Sequence, residues 1–139
     1  MASPLKIERS LNAPVALVWQ ALTDPDQMKH WYFDLPGFKA EVGYEFSFTG
    51  GPAPDRQYVH LCKVIEVIKE EKLSYTWRYK GYAGDSTVSF ILTAEGNTTH
   101  LQIIHEGLET FPAEPDFATN NFSAGWNSIG DSLKKFVEK

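Results

Sequence analysis

The spacing of hydrophobic positions changes along the chain from the period of a strand to the period of a helix. In residues 7–11, Ile7, Arg9 and Leu11 alternate with Glu8 and Ser10, and a period of two is typical of a half-buried strand. From Pro14 to Leu22 the apolar residues recur at helical spacing, and Pro14 suits a first helical position because it has no N–H to leave unpaired. The chain is therefore predicted to begin with a strand and a short helix.

A second short helix is predicted directly after the first. Asp24 is followed by Pro25, and Gln27 comes three residues after Asp24, which is the layout of a capping box at a helix N-terminus. The predicted helix runs through Met28 to about Trp31.

The long middle of the chain returns to a period of two and predicts a meander of antiparallel strands. Alternating positions favour strands near residues 44–49, 58–68, 73–79, 87–92 and 101–105, with turn-forming residues between most of them. The stretch Gly-Gly-Pro-Ala-Pro-Asp at residues 50–55 predicts a mobile loop. Such a loop serves either as a lid or entrance to a site, or as a plain hairpin connection.

Helical spacing resumes at Phe122 and predicts one long helix to the end of the chain. Phe122, Trp126 and Ile129 lie on its apolar face. Gly125 and Gly130 lower its helical propensity, and their small size is predicted to let the helix approach the sheet closely. The order of elements indicates an α+β fold in which a curved antiparallel sheet closes around the last helix and leaves a cavity between them.

Length and composition favour a single domain over residues 1–139. The chain has 139 residues, of which 42% are hydrophobic and 14% aromatic, so one core can form. Its formal charge of −5, without a cluster of Lys or Arg, argues against binding to nucleic acid.

Residues 1–9 carry charges where a signal peptide is apolar, and no apolar run approaches the roughly 20 residues of a membrane-spanning helix. Cys62 is the only cysteine, and a cytoplasmic protein is expected.

No motif in the sequence predicts a cofactor or a metal site. Gly50 and Gly51 precede no Lys-Ser or Lys-Thr pair and open no helix, so they do not form a phosphate loop. His60, Cys62 and His105 are the candidate metal ligands, but none belongs to a closely spaced ligand pair such as Cys-x-x-Cys. We therefore expect no cofactor and no metal ion.

The order and spacing of several motifs resemble the Hsp90-ATPase-activator-like branch of the START-related superfamily over nearly the whole chain. The motifs are Ala13 and Pro14, Val18 and Trp19, residues 22–25, Trp31, residues 64–67 leading to residues 73–77, residues 99–107, and Gly125 with Trp126. The resemblance implies a helix-grip fold (START/Bet v 1-like): a curved antiparallel sheet wraps a long C-terminal helix, and two short helices follow the first strand. Members of the superfamily bind lipids, sterols and polyketides, and some use the cavity for catalysis.

The resemblance and the strand alternation together predict a cavity lined by aromatic side chains with a few polar ends. The predicted lining residues are Trp31, Phe46, Phe48, Tyr58, His60, Cys62, Tyr75, Trp77, Phe90, His105, Trp126 and Ile129. The same side chains could instead fill the core completely, since aromatic residues dominate cores. Trp31 either forms one rim of the cavity or staples the short helices to the sheet. Cys62 departs from the glycine that relatives often carry, and its larger side chain is expected to narrow the cavity.

The two inward histidines leave three roles open. His60 and His105 either hydrogen-bond a ligand, act as acid and base near neutral pH, or are satisfied by neighbouring protein groups. Each role predicts different partners for the ring nitrogens.

Three functions remain as hypotheses. The leading one is the binding of a small hydrophobic or aromatic ligand such as a lipid, a sterol or a polyketide-like molecule. The second is a protein-interaction role, in which the domain binds an Hsp90-type chaperone and stimulates its ATPase. The third is acid-base catalysis on an aromatic or polyketide-like substrate by His60 or His105. The expected oligomeric state is a monomer or a homodimer, without a nucleic acid or membrane partner.

Overall fold

The strands and helices follow the predicted order along the chain. The structure is a computed structural model that describes residues 4–112, 117 and 119–138. Its elements are β1 (Leu5–Leu11), α1 (Val15–Thr23), α2 (Pro25–Trp31), β2 (Glu45–Ala53), β3 (Arg56–Ile68), β4 (Lys72–Tyr79), β5 (Ser86–Glu95), β6 (Thr98–Glu106), a 3₁₀ turn (Leu108–Thr110) and α3 (Thr119–Val137). The predicted α+β helix-grip fold is confirmed. Two prolines between residues 111 and 116 predict an irregular segment there, and residues 113–116 of it lie outside the described residues.

Within the described residues, the strands form one six-stranded sheet in the order β1-β6-β5-β4-β3-β2. All neighbouring strands are antiparallel. Helices α1 and α2 therefore carry the chain from β1 at one edge to β2 at the other. The strands β2 to β6 follow one another as hairpins, which matches the predicted meander.

The inner face of the sheet packs against the helices and forms the core. Alternate positions of each strand point inward, because successive side chains on a strand face opposite sides. The side chains most deeply buried there include Leu11, Val18, Leu22, Met28, Val64, Leu73, Tyr75, Val88, Phe90, Leu101, Ile103 and Leu133. This packing holds α3 across the sheet.

The helix boundaries differ from the predicted ones in small ways. Pro14 is the N-cap of α1, one position before the first helical residue. The Asp24 carboxylate caps α2 by accepting a hydrogen bond from the backbone N–H of Asp26 at 3.0 Å. Gln27 reaches the Asp24 carboxylate at 3.4 Å, whereas a capping box would direct it to the backbone N–H. Helix α3 begins at Thr119, three residues before the predicted start at Phe122.

The predicted loop over residues 50–55 is wrong in its extent, because β2 continues to Ala53 and pairs with Arg56. Only residues 54 and 55 form the turn of this hairpin. The register shifts between Gly50 and Ala53. A Cβ added to Gly51 would collide with the carbonyl oxygen of Arg56. Gly51 therefore allows β2 and β3 to approach each other closely. The glycine-rich composition predicts a mobile loop here instead of paired strands.

A half-buried cation fixes the C-terminal half of α3 on β1. Arg9 lies at an inward position of β1, and its Nε donates to the Asp131 carboxylate at 2.9 Å. Its Nη2 donates to the Asn127 side-chain oxygen at 2.8 Å. The N-terminal half of α3 extends over β3 and β4 instead, and the cavity lies there.

None of the helices among the described residues is both long enough and apolar enough to cross a membrane.

Candidate functional site

A cavity of about 250 Å³ lies between the N-terminal half of α3 and strands β2, β3 and β4. Its walls are mostly aromatic. The lining residues are Phe33, Gly50, Gly51, His60, Trp77, Tyr79, Asn121, Phe122, Gly125, Trp126 and Ile129. Of the described residues, none that lines the cavity carries a charged side chain.

Strand and helix periodicity bring these side chains together. Trp77 and Tyr79 are two residues apart on β4 and share its inner face. Phe122, Trp126 and Ile129 are four and three residues apart on α3, so they share one helix face. The cavity therefore lies between two regular elements that hold their side chains in fixed directions, and it is open to solvent on one side.

The structure places part of the predicted site at this cavity and part of it elsewhere. His60, Trp77, Trp126 and Ile129 line the cavity. A layer behind it contains Phe46, Phe48, Tyr75 and Phe90; the Phe48 ring, for example, stacks on His60 with 4.4 Å between centroids. The ligand-binding role of all these residues stays a prediction.

Trp31, Tyr58, Cys62 and His105 do not line the cavity. The Nε1–H of Trp31 donates to the Ala21 carbonyl at 2.8 Å, so this residue holds α2 against α1. Cys62 is buried on β3, and burial raises the pKa of its thiol. The side chain of Cys62 therefore contributes to packing and does not narrow the cavity as expected.

His105 is fully engaged inside the protein. Trp126 Nε1–H donates to its Nδ1 at 2.9 Å, so that Nδ1 is an acceptor and Nε2 carries the proton. Nε2–H then donates to Ser86 Oγ at 2.8 Å, and Ser86 donates to the Trp77 carbonyl at 2.7 Å. This buried chain of hydrogen bonds has no free member, so His105 is a structural residue and not the acid-base candidate that the sequence suggested.

Burial also holds His105 in its neutral form. It lowers the pKa of His105 to about 3, because a charged ring would be desolvated there. A proton added at Nδ1 would also turn this nitrogen into a donor that faces the Trp126 N–H, which is itself a donor. The geometry and the lowered pKa both disfavour proton transfer by this residue near pH 7.

His60 differs because one of its ring nitrogens remains available. Its Nδ1 lies 3.0 Å from the Tyr58 carbonyl oxygen and 3.3 Å from that of Phe48. Carbonyl oxygens only accept, so Nδ1 carries the proton and Nε2 keeps its lone pair. Among the residues that the structure describes, none hydrogen-bonds to Nε2.

His60 is neutral at pH 7 and can accept a hydrogen bond. Burial lowers its pKa to about 4 against the two carbonyl contacts, which raise it. A histidine with this pKa holds no proton to donate from Nε2 at neutral pH. The cavity therefore contains an acceptor at His60 rather than a general acid.

Tyr79 supplies a hydrogen-bond donor on the same wall. Trp77 Nε1–H donates to its hydroxyl oxygen at 2.9 Å. The hydroxyl proton of Tyr79 meets no acceptor in the described part of the chain. Burial raises the pKa of Tyr79 to about 12, so the proton stays in place at neutral pH.

Several lining residues could not be identified as such from periodicity. Phe33 lies in the irregular segment between α2 and β2, where no period marks an inward position. Alternation places Tyr79 inward and helical spacing does the same for Phe122, but neither pattern distinguishes a cavity wall from a filled core. Gly125 was expected to allow close approach, yet a Cβ added to it meets nothing within 4 Å. Gly125 leaves open space at the mouth of the cavity.

The chain is similar to one protein family and to several solved structures. The sequence profile of a family described as Activator of Hsp90 ATPase homolog 1-like protein matches residues 12–138. A protein from Mesorhizobium loti is 27% identical, with a TM-score of 0.77, over 96% of this chain and 96% of that chain. A protein from Bacillus halodurans is 28% identical, with a TM-score of 0.75, over 99% and 98% of the two chains.

A third structure shares the fold at lower identity. DynU16, described as a protein in the dynemicin biosynthetic locus, is 22% identical with a TM-score of 0.80, over 100% of this chain and 48% of its own. No curated protein sequence matches the chain significantly.

Proposed function

The chain belongs to the family of Activator of Hsp90 ATPase homolog 1-like proteins, and we propose that it binds a small hydrophobic or aromatic molecule between its sheet and its C-terminal helix. The observation that carries this proposal is the cavity of about 250 Å³ walled by Phe33, Trp77, Phe122 and Trp126. Apolar walls with a few directed polar atoms are typical of small-molecule sites.

The polar atoms around the cavity support the proposal. A packed core satisfies its polar groups internally, as the chain through His105 does. His60 Nε2 and the Tyr79 hydroxyl proton have no such partner among the described residues. No buried polar side-chain atom among the described residues lacks a partner, so His60 Nε2 borders accessible space. Two groups of opposite hydrogen-bonding character beside an apolar space favour a ligand as their partner.

DynU16 shares the fold of this chain. Its structure is described as that of a protein in a biosynthetic locus, and small-molecule binding would serve a protein in such a setting. The low identity carries the fold alone.

Thermal stability in the presence of candidate ligands tests the proposal. The panel contains fatty acids, sterols, aromatic polyketides and one- and two-ring aromatic compounds. A ligand at about 100 times its Kd stabilises the folded state by about 2.7 kcal/mol, which raises the Tm by several degrees. We expect such a shift with aromatic members, together with a saturable change in tryptophan fluorescence, since Trp77 and Trp126 line the cavity. No shift with any member at saturating concentration would contradict the proposal.

The family description brings in a second candidate, the stimulation of a chaperone ATPase. The observation in its favour is the profile match over residues 12–138. A pull-down with the Hsp90 homologue of the source organism, followed by an ATPase assay, tests it. Specific capture with a raised turnover would support the candidate, and unchanged turnover would count against it.

A further inference from the structure

We propose that the cavity selects an uncharged aromatic alcohol of about two fused rings, whose hydroxyl donates to His60 Nε2 and accepts from the Tyr79 hydroxyl. This inference rests on the proposed function and names the class of ligand for the same cavity. It follows from the direction of each hydrogen bond around the cavity.

The acceptor side is fixed by the backbone. Two carbonyl oxygens, of Phe48 and Tyr58, meet Nδ1 of His60 at 3.3 and 3.0 Å and hold the proton there. The ring is further held by stacking on Phe48, with 4.4 Å between centroids and 10° between planes. Nε2 therefore keeps its acceptor character, and a ligand must bring a donor to satisfy it.

The donor side is fixed by Trp77. The indole N–H occupies one lone pair of the Tyr79 oxygen at 2.9 Å. A hydroxyl that accepts a hydrogen bond becomes a stronger donor through its own proton. The Tyr79 and His60 rings lie 4.8 Å apart between centroids, and both residues line the cavity.

Only some functional groups satisfy both atoms at once. A hydroxyl both donates and accepts, whereas a ketone or an ether accepts alone and leaves His60 Nε2 unpaired. A carboxylate is disfavoured, because no described lining residue is cationic and a buried unpaired charge is costly. Fatty acids therefore fit poorly despite their apolar chains.

The size of the cavity limits the rest of the ligand. An apolar cavity of about 150 Å³ binds benzene. The cavity of about 250 Å³ here is larger by roughly one further ring. Phe33, Trp77 and Trp126 provide flat faces that suit a planar aromatic ligand.

The test is a ligand series measured by isothermal titration calorimetry on the unaltered protein at pH 7. The probes are 2-naphthol, 2-methylnaphthalene, 2-methoxynaphthalene and 2-naphthoate, which share one ring system. We expect 2-naphthol to bind about 10-fold more tightly than the methyl compound, which loses both hydrogen bonds, and about 5-fold to 10-fold more tightly than the methoxy compound, which loses only the one to His60 Nε2. Hydrophobic transfer alone predicts the reverse order, with the methyl compound tightest.

Each outcome of the series separates this inference from the proposed function. Tight binding of 2-naphthol alone supports both. Equal affinities for all the neutral compounds, or preference for the methyl compound, overturn the inference and leave the proposed function standing. Preference for 2-naphthoate also overturns it. No binding by any compound, including the wider panel above, overturns both.

Two variants test whether His60 Nε2 causes the preference for 2-naphthol over 2-methylnaphthalene. His60→Phe keeps the ring stack and removes the acceptor, so the affinity for 2-naphthol should fall about 10-fold while that for 2-methylnaphthalene stays within roughly 2-fold. Ile129→Leu is the matched control, because it changes the same cavity without a polar atom and should shift both affinities by one factor. If His60→Phe does not fold, Tyr79→Phe carries the same comparison. An unchanged ratio of the two affinities in the folded variant would overturn the inference.

Discussion

The hydroxyl of Ser86 connects the His105 ring with the Trp77 carbonyl inside the core. It accepts from His105 Nε2 at 2.8 Å and donates to the Trp77 carbonyl at 2.7 Å. Ser86 and His105 are both buried, at 3% and 0% exposure. Water therefore does not replace the hydroxyl if it is removed.

The substitution Ser86→Ala should lower the free energy of unfolding by about 1 to 3 kcal/mol, because it leaves the His105 N–H and the Trp77 carbonyl without a partner. Urea denaturation at pH 7 measures the change. Ser47→Ala is the matched control: Ser47 lies at an exposed position of β2, and its loss should change stability by less than about 0.5 kcal/mol. Equal effects of the two substitutions would show that the buried chain contributes nothing.

At the scale of elements, α3 combines a tight contact at one end with open space at the other. Gly130 packs against the Arg9 side chain, which an added Cβ would meet at 3.6 Å. Gly125 faces the mouth of the cavity, where an added Cβ meets nothing within 4 Å. Both glycines weaken the helix, yet only one of them leaves room for a ligand.

Gly125→Ala should stabilise the protein by about 0.5 to 1 kcal/mol, because alanine favours the helix and meets no obstacle. Gly125→Leu should place a larger side chain at the mouth of the cavity and weaken ligand binding by about 10-fold or more, because the side chain blocks the entry of the ligand. Denaturation and calorimetry measure the two effects.

Gly130→Ala is the matched control, because it gives a similar gain in helical propensity at a position of α3 that does not line the cavity. Its ligand affinity should equal that of the unaltered protein. A loss of affinity in Gly130→Ala as large as in Gly125→Leu would remove the link between Gly125 and the cavity.

At the scale of the whole molecule, two neutral histidines in the core link stability to pH. The pKa of His60 is lowered to about 4 and that of His105 to about 3, whereas an unfolded chain holds both near 6.5. Between these values the unfolded state binds more protons than the folded state. Their contribution to stability is therefore complete above pH 6.5 and is lost as the pH falls toward the folded-state values.

The free energy of unfolding should fall by about 4 kcal/mol from pH 7.5 to pH 5, since each histidine contributes up to about 1.4 kcal/mol per pH unit. Denaturant titrations between pH 7.5 and pH 5 measure the free energy of unfolding. Most carboxylates titrate below this range and therefore contribute little to the change. The variant His60→Phe should retain about half of the slope. Stability that is constant down to pH 5 would contradict the neutral core histidines.

The sequence was a better guide to the fold than to the site, for physical reasons. Periodicity depends on which face of an element is buried, and it placed His105 and Trp126 inward. Whether two inward side chains bond to each other depends on their directions across separate elements, which periodicity does not contain. Phe33 lies outside any periodic segment, and the pairing of Gly51 opposite Arg56 depends on the partner strand.

The hydrogen-bond chain through His105 also distinguishes between alternative strand registers. A slip of β6 along β5 by two residues that placed His105 opposite Phe90 would keep the apolar side chains on the inner face, because strand side chains alternate with a period of two. In the native register His105 lies opposite Val88 and reaches both Ser86 and Trp126. In the slipped register these polar groups would be buried without partners, at a cost of about 1 to 3 kcal/mol each. The buried histidine thus directs the folding chain to one of two pairings that hydrophobicity alone would treat as equal.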